Sequence, residues 1–163
     1  MPPRVAYVDV LVLRGAGPTL EILCLRRGLR GRSPGSWEAV HGHIDPGETT
    51  VATVRRELLE EAGAEAERLY NLSRVESFYR HTTNEVVLIP VFAAFLRADA
   101  EVRISSEHDR FEWLPPDQAR ARMSWPRVRR EIDDVMGLLG SGNAGPLEDM
   151  LLVDQRHREV SGS

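Results

Sequence analysis

Cysteine occurs once in 163 residues, at Cys24. That count excludes an internal disulfide and agrees with a reducing compartment. Within the apolar stretch EILCL the thiol reads as a small buried side chain, not a nucleophile. No apolar run approaches the length that crosses a bilayer. The start of the chain, MPPRVAYVDV, lacks the layout of a signal peptide, so a cytoplasmic protein without membrane association is expected. An excess of positive charge is also missing: 21 Lys and Arg against 25 Asp and Glu give a net charge of −4. General attraction to polyanions, and with it stable nucleic-acid binding, is therefore not expected. Repeats and interdomain linkers are lacking too. The remaining composition, 42% hydrophobic and 28% charged, is that of an ordinary globular domain. The length suits a single domain over residues 1–140. Residues 141–163 read as a mobile tail, with one helical turn at Pro146 to Leu152 docking on the body.

The most informative stretch is Gly42 to Ala64, GHIDPGETTVATVRRELLEEAGA. A loop from Gly42 to Gly47, with two glycines and a proline, allows close backbone approach. Thr49 or Thr50 caps the helix that follows. Over Thr50 to Ala62, Val51, Val54, Leu58 and Ala62 recur at helical spacing and face the core. Gly63 falls where a left-handed cap ends the helix. Glu57, Glu60 and Glu61 stand at i, i+3 and i+4, gathered on one side. Glu57 and Glu60 are expected to point away from the core and Glu61 to lie nearer the apolar border. Like charges so placed repel by a few tenths of a kcal/mol per pair. An acidic solvent face is the plain reading of such a cluster; a set of hard oxygen ligands for Mg²⁺ or Mn²⁺ is the other.

Around this stretch, Val5 to Leu13 and Leu20 to Arg26 read as strands paired in a hairpin. Arg27 to Ser36 is a basic surface loop, and Trp37 to Val40 a short strand. Leu69 to Tyr79 and Glu85 to Leu96 read as longer strands, with Pro90 marking a bulge or an edge. Glu101 to Ile104 is a short strand or turn. Ser105 to Leu114 is a loop running into a strand. Short and long helices follow at Asp117 to Met123 and Pro126 to Leu139, the latter with proline in its first turn.

Read as G-x5-E-x7-R-E-U-x-E-E-x-G-U, with U a bulky aliphatic, Gly42, Glu48, Arg56, Glu57, Leu58, Glu60, Glu61 and Gly63 fall in register. Seven fixed identities at about one in fifteen each arise by chance in a given register about once in 10⁸. This segment resembles the Nudix box of nucleoside-diphosphate-X hydrolases; Ala64 alone departs, being smaller than the usual aliphatic. The resemblance implies an α/β/α sandwich on a mixed sheet and metal-dependent hydrolysis of a pyrophosphate bond in a small nucleotide-like substrate, with Mg²⁺ or Mn²⁺ as cofactor.

Carried over by position, Glu57, Glu60 and Glu61 would ligate the metal, joined by the backbone carbonyl of His41. Arg56 would pair with Glu48 to orient the loop over the helix, with Gly42 and Gly63 as structural supports. A glutamate outside the box often supplies a further ligand or the general base; Glu107 in SSEHDRFEWL is the candidate, with Glu112 and Glu101 as rivals. His108 beside it is expected only to hydrogen-bond nearby. Arg27, Arg30 and Arg32 in the basic loop, with Trp37 and His43, are candidates for substrate contact; a solvated loop, a ring packed in the core, which is the first reading of Trp37, and a structural imidazole are the respective alternatives. Three segments, RRG…SWEAVHGHIDPGET, SSEHDRFEWLPPDQA and SWPRVRREID, resemble the layout of the dihydroneopterin triphosphate pyrophosphatase and dATP pyrophosphohydrolase branch. That favours a triphosphate cleaved to monophosphate and pyrophosphate. GHIDPGE also resembles hydrolases of diadenosine polyphosphates, while ADP-ribose hydrolysis and nucleotide sensing without turnover are alternatives. A monomer or homodimer is expected.

Overall fold

The computed structural model describes residues 1–153. The β-branched and aliphatic runs form strands β1 (Arg4–Val5), β2 (Tyr7–Arg14), β3 (Glu21–Arg27), β4 (Trp37–Glu38) and β5 (Val40–His43). After helix α1 (Thr50–Ala62) come β6 (Arg68–Arg80), β7 (Glu85–Phe95) and β8 (His108–Leu114). Helices α2 (Pro116–Arg122), α3 (Pro126–Leu139) and α4 (Glu148–Leu151) close the described chain. One mixed sheet joins the strands. Parallel β2 and β7 form its centre, with Asp9 opposite Val91 and Leu13 opposite Phe95. β6 flanks β7, β5 and β3 flank β2, and β8 flanks β3.

Alternation along β2 divides the core in two. Val8, Val10 and Val12 face α1 and pack with Val54, Leu58 and Ala62. Leu11 and Leu13 face α3 and pack with Val128, Ile132, Val135 and Leu139. Helices thus cover both faces of the sheet, the α/β/α arrangement. Cys24 lies in the α3-side core, where burial pushes its thiol up to about 12.

Three expectations change. β5 runs to His43 and pairs Gly42 with Val8, so Gly42 belongs to a strand and the loop begins after it. β7 is central, not an edge. Its Pro90 falls between Leu88, opposite Val5, and Val91, opposite Asp9, where the parallel neighbour changes from β1 to β2. The bulge is on β6, between Asn71 and Arg74, with Ser73 at φ 54°. Glu101 to Ile104 forms no strand. At the C-terminal side a 3-10 turn at Gly145–Leu147 leads into α4. The Tyr70 hydroxyl donates to Glu148 at 2.9 Å, and Leu152 bridges to Tyr70. The rest of the tail, 154–163, lies outside the described residues.

Candidate active site

Helix α1 begins with a cap, Thr49 Oγ1 accepting the Ala52 N–H at 3.1 Å, and ends at Gly63 with φ 67°. A Cβ at Gly63 would lie 2.8 Å from the Arg103 Cβ, so conformation and space both call for glycine there. Between these ends the glutamates part company. Glu57 and Glu61, one turn apart, lie on the flank against β5 and are 8% and 3% exposed. The expectation that Glu57 points away from the core is wrong. Its row on the helix meets Gly42, where a Cβ would fall 2.0 Å from the Glu57 carboxyl carbon. A missing side chain on the strand makes the space into which the carboxylate fits. Glu60 does face outward.

These two carboxylates are poorly compensated. Glu61 Oε2 accepts the His41 backbone N–H at 3.1 Å. Burial nevertheless pushes Glu61 up to about 9, with the charges of Glu57, Glu38 and Glu107 acting the same way. Burial also raises Glu57, against the opposing pull of Arg56, and Glu60 and Glu107 add to the rise.

Arg56 ties the loop to the helix. Its Nε and Nη2 grip Glu48 at 2.9 and 2.8 Å in a fork. Nη2 also donates to the His43 carbonyl at 2.8 Å, and Nη1 to Glu57 at 2.8 Å and Glu60 at 3.3 Å. Glu48 accepts the Asp45 N–H and the Thr53 hydroxyl as well. The Arg56 bond, then that of Asp45, hold its carboxyl down to about 2.

Glu107 stands on the loop before β8, anchored by a hydrogen bond from Gly28 N–H to its carbonyl at 3.0 Å. Its charge acts on both Glu57 and Glu61. The rivals are engaged elsewhere: Glu112 with Arg110 and Arg122, Glu101 with Arg103 at the surface. His108 is buried and bonds Glu38 Oε1 at 2.8 Å, where Arg27 Nη1 also donates at 3.2 Å. Burial alone would raise Glu38, but the His108 bond and the His108 and Arg27 charges hold it below the usual carboxylate range. Sequence reasoning missed Glu38 and Asp9. The available signal was the same for both: an acid inside an otherwise apolar strand, WEAV and VAYVDVLVL.

Beside the N-terminal end of α3 opens a cavity of about 380 Å³. Rings of Tyr7, Phe78 and Trp125 and the guanidinium groups of Arg27, Arg32, Arg80 and Arg127 line it, together with Glu38 and His41. Tyr7 stacks on His41, centroids 4.9 Å apart and planes 13° from parallel. Arg27 and Arg32 therefore reach the cavity. Arg30, Trp37 and His43 do not line it. Arg30 is exposed on the basic loop. Trp37 packs on the α3-side core beneath Arg122, 4.6 Å from its ring centroid. His43 meets Tyr7 edge-on at 5.2 Å.

Hard oxygen donors are what a Mg²⁺-type ion requires. Among the described residues no three His, Cys, Asp or Glu side chains already surround one point; Arg56 engages Glu57 and Glu60 instead. The chemistry of the donor set fits a divalent cation all the same. Two buried, like-charged carboxylates face each other's field with one backbone donor and one arginine between them, and Gly42 leaves the room that the Glu57 carboxylate needs.

A family profile described as the NUDIX domain matches residues 3–135. An octanoyltransferase of Myxococcus xanthus is 30% identical over 138 residues, covering 80% of this chain and 36% of that protein. The asymmetrical bis(5′-nucleosyl)-tetraphosphatase of Rattus norvegicus is 38% identical over 85 residues, covering 51% and 58%. This chain thus spans between about a third and three-fifths of the length of these curated relatives. Among solved structures, the dihydroneopterin triphosphate pyrophosphohydrolase of E. coli superposes with a TM-score of 0.64 at 23% identity, covering 77% of this chain and 92% of that one. This last likeness concerns the fold.

Proposed function

The chain belongs to the NUDIX domain family, and from that premise we propose that it is a divalent-metal-dependent pyrophosphohydrolase acting on a nucleoside triphosphate or similar triphosphate. Water adds across a P–O–P anhydride, giving a monophosphate and pyrophosphate. The observation that carries this reading is the buried Glu57–Glu61 pair, set against Gly42 and linked through His41, whose N–H bonds Glu61, to a cavity of aromatic rings and arginines.

Glu57 and Glu61 would hold the ion, with Glu60, Glu107 and the His41 carbonyl completing its surroundings; Mg²⁺ or Mn²⁺ suits such oxygens. Bound there, a divalent ion supplies Lewis acidity and lowers the pKa of its water. Arg56, fixed by Glu48, holds the loop over the helix and has to release Glu57 and Glu60 for that role. Glu107 is the candidate base that takes the proton of the attacking water. Arg27, Arg32, Arg80 and Arg127 suit the phosphates, and Tyr7, Phe78 and Trp125 suit a planar ring. A second reading, asymmetric cleavage of a dinucleoside polyphosphate, is favoured by the 38% identity to the rat tetraphosphatase. A monomer or homodimer in the cytoplasm is the expected setting.

Pyrophosphate and phosphate release across a panel of nucleotides, pterin triphosphates and dinucleoside polyphosphates, with Mg²⁺ and with Mn²⁺, tests the proposal. Turnover of a triphosphate to the monophosphate is expected. Tight nucleotide binding without turnover of any substrate would mark a sensor and sink the enzyme reading. For Glu107→Gln, an unchanged kcat and pH–rate profile would move the proton-accepting role to another carboxylate.

A further inference from the structure

Asp9 is fully buried in the middle of an apolar strand, and the reaction outlined above does not use it. Its Oδ1 lies 2.7 Å from His41 Nδ1, and its Oδ2 accepts Arg127 Nε at 2.8 Å. The 3.5 Å between Arg127 Nη2 and His41 Nδ1 is too long to compete, so Nδ1 carries the hydrogen and donates it to Asp9. Glu131, on α3, is the third neighbour. Neither of its oxygens has a donor, yet it is fully buried beside Asp9. Protonated, it becomes the donor and Asp9 the acceptor. Burial would raise Asp9, but the bonds from His41 and Glu131, with the Arg127 charge, hold it well below the usual range.

Stability alone does not call for this arrangement. Replacing a buried ion pair by apolar groups of similar volume is often neutral or stabilising, and every other residue from Val8 to Leu13 is apolar. What distinguishes Asp9 is where its two partners lead. Arg127 lines the cavity. His41 is directly opposite Asp9 in the β2–β5 ladder, and its backbone N–H holds Glu61 at 3.1 Å. The next residue is Gly42, against which Glu57 rests.

We propose that Asp9 is a positioning residue that couples the two halves of the site: one buried carboxylate fixes Arg127 at the cavity and, through the His41 ring, fixes the strand that orients Glu61 and Glu57. The inference rests on the reading of that glutamate pair as the metal-holding one. It predicts that loss of Asp9 loosens the ion as well as the substrate, although Asp9 would touch neither.

Mn²⁺ binding to the free protein, followed by electron paramagnetic resonance, gives a readout independent of turnover. Asp9→Asn keeps the volume and removes the charge. His41→Phe keeps the stack on Tyr7 and removes the link to Asp9. Both are expected to weaken Mn²⁺ binding about 10-fold, the lower end of what supporting residues contribute around metals. Arg127→Lys is expected to raise KM while leaving Mn²⁺ binding unchanged. A merely structural Asp9 would lower the melting temperature of Asp9→Asn without moving Mn²⁺ affinity in the folded protein. Folded variants that bind Mn²⁺ as tightly as wild type overturn the proposal; if Asp9→Asn does not fold, His41→Phe decides it alone. A wild-type protein that binds no Mn²⁺ overturns it too. A wild type that binds Mn²⁺ but hydrolyses nothing defeats only the hydrolase reading, because the variant titrations still decide the coupling.

Discussion

Asp9 and Glu61 are both acids buried against the same stretch of β5, and they are held in opposite ways. Asp9 bonds His41 on β5 and Arg127 on α3 and stays charged. Glu61 has one backbone donor and three like-charged neighbours, and its carboxyl is pushed up to about 9. The first faces a positive partner, Arg127; the second lacks one. Burying an acid is tolerated where the surroundings complete its hydrogen bonds. Where they do not, the group is strained toward neutrality unless something positive arrives. On the proposed assignment that contrast separates a support from a metal-holding carboxylate, although residue type and exposure are nearly the same.

The contrast can be broken from either side. Glu61→Gln is expected to lower kcat at least ~10²-fold, the scale for removing a key electrostatic group; near-wild-type pyrophosphate release would refute its assignment. Asp9→Ala leaves Arg127 and His41 unpaired and should cost about 3 kcal/mol in urea unfolding. Glu61→Ala, measured without divalent ions, should cost far less, since it relieves repulsion.

A pH series sharpens the point. Glu61 binds its proton more tightly folded than unfolded, so its contribution is fully present below about 4.5 and is lost as pH rises toward about 9. The melting temperature of the ion-free protein should fall across that window. Mg²⁺ or Glu61→Gln should flatten the part due to Glu61, leaving the part due to Glu131, which is raised in the same direction. A slope unaffected by either change would remove Glu61 from the account. The smallest effect belongs to Cys24, whose thiol is held near 12. A thiol reagent at pH 8 should label it only after unfolding.

Much of this was legible in the sequence, and the boundary is instructive. The span of helix α1 was readable, with its cap left between Thr49 and Thr50, because cap, period and terminal glycine are local signals. The Glu48–Arg56 pair was readable only through the resemblance of the Gly42–Ala64 stretch, and the fork between them forms as that resemblance implies. Glu57 was misplaced because its environment depends on Gly42, fifteen positions away on another element and visible only once β5 pairs with β2. Glu38 and Asp9 were missed for a related reason. An acid in an apolar strand has no local partner, and His108 and Arg127 reach them only through the fold. Arg30 and His43 were candidate contacts from their place in the chain beside the box, and that place does not say which way a loop or a ring turns, whereas Trp37 packs on the core, the first reading of its ring.

Gly42 has one more consequence. The volume that a single hydrogen leaves on β5 is what admits the Glu57 carboxylate. A methyl group there would intrude on the Glu57 carboxylate, the proposed metal-holding end of the site, while Tyr7, Trp125 and the cavity arginines lie outside its reach. Gly42→Ala should therefore bind the natural substrate without consuming it. Such a variant is a trap, and mass spectrometry of what it retains from a cell extract would identify the molecule that this domain evolved to meet.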